Sequence, residues 1–299
     1  HDLSSLTQVP GVYDFSQNGE LAKLSVEKEY LNDALLAAAN IGISNIESAQ
    51  PTLEDLFIRH YESSEVDLMK EKVASFEQLF LIYLKRDWKK IVMWILLLGL
   101  FGGGFVPAFE ELLQGDGLTA MYYTMDNPAL VAMVGSTPVN SPEQYTLGAM
   151  YAQEMLLFTA LISAIVSALH VVTHTRKEED SGISEIINAF QVGRQANSIA
   201  VTLEVILINF LLTLFIMGAL LVFDVPSITV EGSILFASSI GLAGILGAMI
   251  ALVVAQIMPT ASGAIGGSMA LIGTLYMGRA ITDISAENLS RFNPLGWTY

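Results

Sequence analysis

His174–Arg194, HTRKEEDSGISEIINAFQVGR, is the most polar run in the second half of the chain, and a long apolar segment lies on each side of it. The flanking runs, residues 149–173 and 199–223, hold 25 residues each. As helices at ~1.5 Å per residue they reach about 37 Å, enough to cross a bilayer with tilt. A charged loop strung between two crossings predicts a mostly α, multi-span membrane bundle. Inside the loop, Ile183, Ile186, Ile187 and Phe190 fall at helical spacing on one face, with Glu185 and Asn188 off it. A short one-sided helix held at the membrane surface suits a groove on a soluble partner. The same pattern also fits a plain solvated loop.

Composition agrees with a membrane protein. Mean hydropathy is +0.53, and 53% of the 299 residues are hydrophobic, too apolar for an ordinary soluble domain. Residues 1–69 carry twelve acids against three Lys/Arg, and the whole chain has a net charge of −16. No basic surplus exists to attract nucleic acid, which excludes that partner class. Cysteine is absent, so disulfides and cysteine metal sites are ruled out.

Residues 1–62 read as a small α+β piece. Gly11–Phe15 and Leu21–Val26 alternate polar and apolar residues around Gln17-Asn18-Gly19, a hairpin turn signal. Tyr30–Ala39 is predicted as an amphipathic helix, Ile43–Ile46 as a third strand, and Pro51–Ile58 as the start of a last helix. Residues 63–72 form a linker. Residues 73–90 are a second amphipathic stretch, with Phe76, Leu79, Phe80, Tyr83 and Leu84 on one face and Lys85-Arg86-Asp87-Trp88-Lys89-Lys90 at its end. That pattern predicts a helix lying in the lipid interface.

Five spans are expected, over residues 91–109, 149–173, 199–223, 234–258 and 261–281. The first is interrupted by Gly102-Gly103-Gly104 and Pro107, glycines read as close helix packing. The last is rich in Gly, Ala and Ser, which suits a helix buried among neighbours. Residues 70–90 hold six Lys/Arg and the 174–198 loop three, whereas the 110–148 loop holds none and five acids. This bias places the N-terminus and the 174–198 loop in the cytoplasm and the 110–148 loop outside. Arg279 and Arg291 then fall on the outer side, against the bias.

Polar residues within the spans are functional candidates, because burying them in lipid is costly. Glu154, Glu204 and Asn209 form the candidate intramembrane polar site. His170 and His174 lie one helical turn apart, as metal-binding histidines do. The H-E-x-x-H pattern is missing, however, and no third ligand is evident, so no metal is expected. No G-x-x-x-x-G-K-[ST] loop occurs anywhere, so the chain has no phosphate cradle of the usual kind and is not expected to be an enzyme.

The series Arg176, Glu178-Glu179, Gly182, Glu185, Ala189, Val192-Gly193-Arg194 resembles the first cytoplasmic loop of ABC transporter type-2 permeases, with Gln191 where many relatives carry proline. The resemblance implies a coupling helix against an ATP-hydrolysing subunit, with Arg176, Glu178, Glu179, Gly182, Glu185, Ile186, Phe190 and Arg194 in the contact. Asn293-Pro294-Leu295-Gly296-Trp297 is similar to the outer segment before the last span in the polyketide-antibiotic exporter group. Those proteins look like two copies of a six-helix unit, of which this chain would hold most of the first. Residues 1–62 resemble the C-terminal tail of ABC exporter ATPases, either from a neighbouring reading frame, with Met69 as the expected start of the permease, or as a genuine fusion. By this resemblance the chain is a cell-membrane permease of an ATP-driven exporter, cut at both ends. Its partners would be an ABC ATPase that binds ATP and Mg, a second permease unit and membrane lipid. An ion-coupled secondary transporter would instead lean on Glu154 and Glu204; the lack of paired internal charges counts against it. A non-transporting scaffold is the third reading.

Overall fold

The computed structural model describes residues 6, 9–18, 21–26, 28–41, 75–112, 116–183, 193, 195–285, 289 and 292–298. The chain divides into two compact units, residues 1–64 and 65–299. In the first, β1 (Val12–Asn18) and β2 (Leu21–Val26) pair antiparallel from Val12 opposite Val26 to Asn18 opposite Leu21. The register slips between Tyr13 and Ser16, a bulge that lengthens β1 beyond the alternating residues. Helix α1 (Leu31–Ile41) supplies Ala38 to a small core with Leu6, Phe15, Leu24 and Ile41. Gly11, at φ 76°, lies against the Tyr30 ring, where a Cβ would come within 2.3 Å of Cδ2. The third strand, the helix starting at Pro51 and the 63–72 linker lie outside the described residues.

The second unit is a helical bundle. Its elements are α2 (Phe76–Gly103), α3 (Val106–Leu112), α4 (Gly117–Met125), α5 (Pro128–Val134), α6 (Leu147–His174), α7 (Arg176–Asp180), α8 (Ala196–Val222), α9 (Val230–Ile257) and α10 (Ala261–Ser285). Helix starts follow local capping chemistry: Thr146, Thr229 and Asn127 each accept a first-turn N–H with a side-chain oxygen. Among the described residues, four segments, Phe76–Glu111, Leu147–Asp180, Ala196–Val222 and Val230–Ile257, are long and apolar enough to cross a membrane. Helix α10 is 25 residues long and less apolar, and it carries the buried Arg279. It coincides with the fifth expected span but is not among those four.

Helix α9 packs most closely on α6, and α2 on α8. Small residues permit the approach. A Cβ on Gly247 would lie 2.2 Å from the Ala164 carbonyl oxygen, and one on Gly103 2.8 Å from the Ala219 methyl. Two buried clusters result. One, with Tyr83, Val171, Val172, Val201 and Ala251, sits toward the His174 end; the other, with Val106, Tyr151, Ile216, Phe236 and Ile240, sits toward the opposite end. Leu97, Phe210, Leu235 and Leu242 point outward, as lipid contact requires.

One expectation is corrected here. The interfacial helix over 73–90 is not a separate element: residues 76–90 are the first turns of α2, which runs unbroken into the apolar stretch. Its Leu79, Tyr83 and Asp87 are buried against the bundle, because packing onto α6 and α8 hides that face better than lipid headgroups do. The connecting 110–148 loop holds α4, α5 and a 3-10 turn at Pro142–Gln144. Asn127 capping Pro128 marks the start of α5.

Candidate functional site

At the His174 end, three helices and the loop after α6 converge on one polar cluster. Helix periodicity places its members. Tyr83 and Asp87 are one turn apart on α2; His170, His174 and Glu178 follow at four-residue steps along α6 and α7. The chain bends at Thr175 (φ −118°, ψ −93°), so Glu178 turns back over the helix end.

Glu178 is the hub. Its Oε2 accepts from the Tyr83 hydroxyl at 3.0 Å, and its Oε1 from Arg86 Nη2 at 2.7 Å, with His174 Nδ1 at 3.2 Å. The Tyr83 hydroxyl also lies 2.7 Å from Asn197 Oδ1, and Asn197 Nδ2 donates to the His174 carbonyl at 3.0 Å, so α8 joins the cluster. Arg86 Nη2 also contacts His174 Nδ1, and the guanidinium lies 4.7 Å from the centre of the Tyr83 ring, a cation–π distance. Asp87 accepts from Arg86 Nε at 2.9 Å and Lys90 Nζ at 2.7 Å, and faces His174 Nε2 at 3.4 Å. Asp87 and Glu178 are thus buried charges held by cations and multiple hydrogen bonds, the condition under which burial is tolerated.

A second set of contacts ties the loop to the turn between α9 and α10. The Arg176 guanidinium donates to the Pro259 carbonyl, and Asp180 Oδ2 accepts from the Ala261 backbone N–H at 2.6 Å. Arg176 also pairs with Glu179 at 2.7 Å. Residues 176–180 therefore touch α2, α6 and the start of α10 in one short stretch.

The candidate intramembrane residues separate. Glu204 on α8 is fully buried, and its Oε2 faces His170 Nε2 at 3.2 Å. Asn209, about a turn and a half further along, ties α6 to α8: its Nδ2 donates to Ser167 Oγ at 3.0 Å, and Ser163 Oγ donates to its Oδ1 at 3.2 Å. Glu154 is elsewhere on α6, sixteen residues before His170, or about 24 Å at ~1.5 Å per residue. Its Oε1 is buried without a hydrogen-bond partner among the described residues.

Of the residues expected in the coupling contact, Arg176, Glu178, Glu179 and Gly182 belong to this assembly or border it; Gly182 takes a positive φ of 76° after α7. Glu185, Ile186, Phe190 and Arg194 lie outside the described residues. Sequence reasoning missed Tyr83, Asp87 and the pairing of Glu204 with His170. The signal for Tyr83 and Asp87 was their four-residue spacing on the packed face of α2. Internal ionisable groups do lie together: His170 Nε2 is 3.2 Å from Glu204 Oε2, and Arg279 Nη1 donates to Asp283 Oδ2 at 2.8 Å with both side chains buried. That removes one objection to an ion-coupled mechanism.

Four long apolar helices around a charged loop define a multi-pass α-helical membrane protein. Over 227 residues the chain is 32% identical to a multidrug efflux system permease protein of Mycobacterium tuberculosis, a match that takes in 74% of this chain and 39% of that protein. The chain thus spans about two fifths of the length of that relative. No protein-family model matches the chain.

Proposed function

We propose that this chain is a permease part of an ATP-driven ABC exporter in the cell membrane, with the 174–198 loop on the cytoplasmic side. The observation that carries the reading is the fastening of Arg176–Asp180 to α2, α6 and α10, with α8 joined through Asn197 to Tyr83 and the His174 carbonyl. A force applied to this loop by a docked engine reaches three helices directly and α8 through Tyr83 and His174, as a power-transmission point requires. The 32% identity to a multidrug efflux permease supports the same reading and points to antibiotic-like or amphipathic cargo. The engine would be a separate ATPase carrying ATP and Mg, with a second permease unit completing the pathway. Within the permease class, the Asn293–Trp297 segment favours the polyketide-antibiotic exporter group, and residues 1–62 read as an ATPase tail.

The test is to replace Glu185 and Phe190 with alanine and measure drug export and ATP hydrolysis in vesicles containing the partner ATPase. Loss of ATP-driven export with a correctly folded permease supports the proposal; unchanged export overturns it. A second reading, an ion-coupled transporter, is favoured by the buried His170–Glu204 pair. Export that follows a proton gradient and ignores ATP selects it.

A further inference from the structure

We propose that His170, His174 and Glu204 form a binding site for one divalent transition-metal ion of the zinc type. The proposal is independent of the transport reading. Each of the three residues offers one ligand atom, and all three atoms lie within 4.8 Å of one another. The His170 Nε2 to Glu204 Oε2 distance is 3.2 Å. Two ligands on a tetrahedral metal with bonds of about 2.0–2.1 Å stand about 3.3 Å apart, so this edge already has the required length.

Burial and hydrogen bonding point the same way. Glu204 is 0% exposed, yet neither of its carboxylate oxygens has a hydrogen-bond partner among the described residues, and neither does the buried His170 Nε2. A fully buried carboxylate with both oxygens unsatisfied is costly. A cation shared with the two imidazoles removes that cost. Around it, Glu178 Oε1 lies 3.2 Å from His174 Nδ1. Metal binding through Nε2 places the proton on Nδ1 toward Glu178, the carboxylate–histidine–metal arrangement, and displaces the Asp87 contact at Nε2 and the Arg86 contact at Nδ1.

The donor set selects the ion. Two imidazoles and one carboxylate suit zinc and its neighbours, whereas calcium and magnesium favour oxygen ligands throughout. Three protein ligands leave one coordination position open. A cavity of about 150 Å³ borders both histidines, with Lys90, Ser167 and Thr173 among otherwise largely apolar walls, and leaves room for a water on that side of the site.

The whole chain, purified in detergent and stripped with a chelator, is titrated with Zn²⁺ by calorimetry and with Co²⁺ by visible absorption. We expect one equivalent bound, with the intense d–d bands of tetrahedral Co²⁺. His170→Gln and Glu204→Gln should each weaken binding at least about 100-fold, since even an outer partner costs about 10–100-fold, and Glu178→Gln should fall in that lower range. Lys177→Ala should bind as the parent does. Because the chain has no cysteine, His170→Cys adds a single thiol. It should keep Co²⁺ and gain a near-ultraviolet sulfur-to-metal charge-transfer band, a gain that misfolding cannot imitate. A parent protein that takes up neither metal overturns the proposal. So does binding that the two glutamine variants leave unchanged, or Co²⁺ uptake by His170→Cys without the new band.

Discussion

The Tyr83 hydroxyl meets Glu178 Oε2 at 3.0 Å across 95 positions of sequence, joining the first long helix to the loop that follows α6. The same hydroxyl lies 2.7 Å from Asn197 Oδ1 on α8. One oxygen therefore holds three elements together. Tyr83→Phe keeps the ring and deletes this junction. It should cost about 1–3 kcal/mol, because Glu178 Oε2 loses a buried hydrogen-bond donor. Thermal unfolding in detergent should show the loss, and ATP-driven export should fall several-fold.

Unfastening the loop from α10 should act differently. Asp180 is partly exposed, at 35% for its side chain, and its bond to the Ala261 N–H joins two separate elements. Asp180→Ala should change stability by less than about 1 kcal/mol yet reduce export severalfold more than Lys177→Ala, which serves as the control. Vesicle transport assays at matched protein levels would measure the contrast.

Glycine substitutions should divide by what their new methyl meets. Gly247→Ala drives a Cβ to 2.2 Å from the Ala164 backbone oxygen, so α6 and α9 must separate. It should destabilise by about 1–3 kcal/mol. Gly266 and Gly218 have nothing within 4 Å of such a methyl, so alanine there should be neutral or should stabilise by up to about 1 kcal/mol through helix propensity. Unfolding temperatures of the three variants decide the matter.

How much of this was legible in the sequence differs between fold and site. Long apolar runs and the charged break after His174 are local signals, and the four clear spans follow from them. The site is not local. Asp87 stands among Lys85, Arg86, Lys89 and Lys90, which reads as a basic fringe until α2 folds and turns Asp87 alone inward. Glu204 and His170 are 34 positions apart on different helices, and only the packing of α8 against α6 makes them a pair. Residues 76–90 looked interfacial because one apolar face fits a bundle and a lipid surface equally well.

At the other end, Arg279 is fully buried and pairs with Asp283 at 2.8 Å, with its second Nη donating to the Ala132 carbonyl at 2.5 Å. Arg279→Met alone should cost about 3–5 kcal/mol, since it removes one partner of a buried ion pair. Arg279→Met with Asp283→Leu should recover part of that loss. A double-mutant cycle on unfolding in detergent gives the coupling directly.

The unbroken course of α2 has a mechanical consequence. From Tyr83 to Gly102 the helix is a stiff rod of about 28 Å at ~1.5 Å per residue. Pivoted at the Tyr83 anchor, a swing of about 5° displaces Gly102 by about 2.5 Å at ~1.5 Å per residue. The Gly102 carbonyl accepts from the Tyr151 hydroxyl at 3.1 Å, and that latch cannot survive such a stroke. A nudge at one membrane face would thus be felt first, on the opposite face, as the release of a single tyrosine.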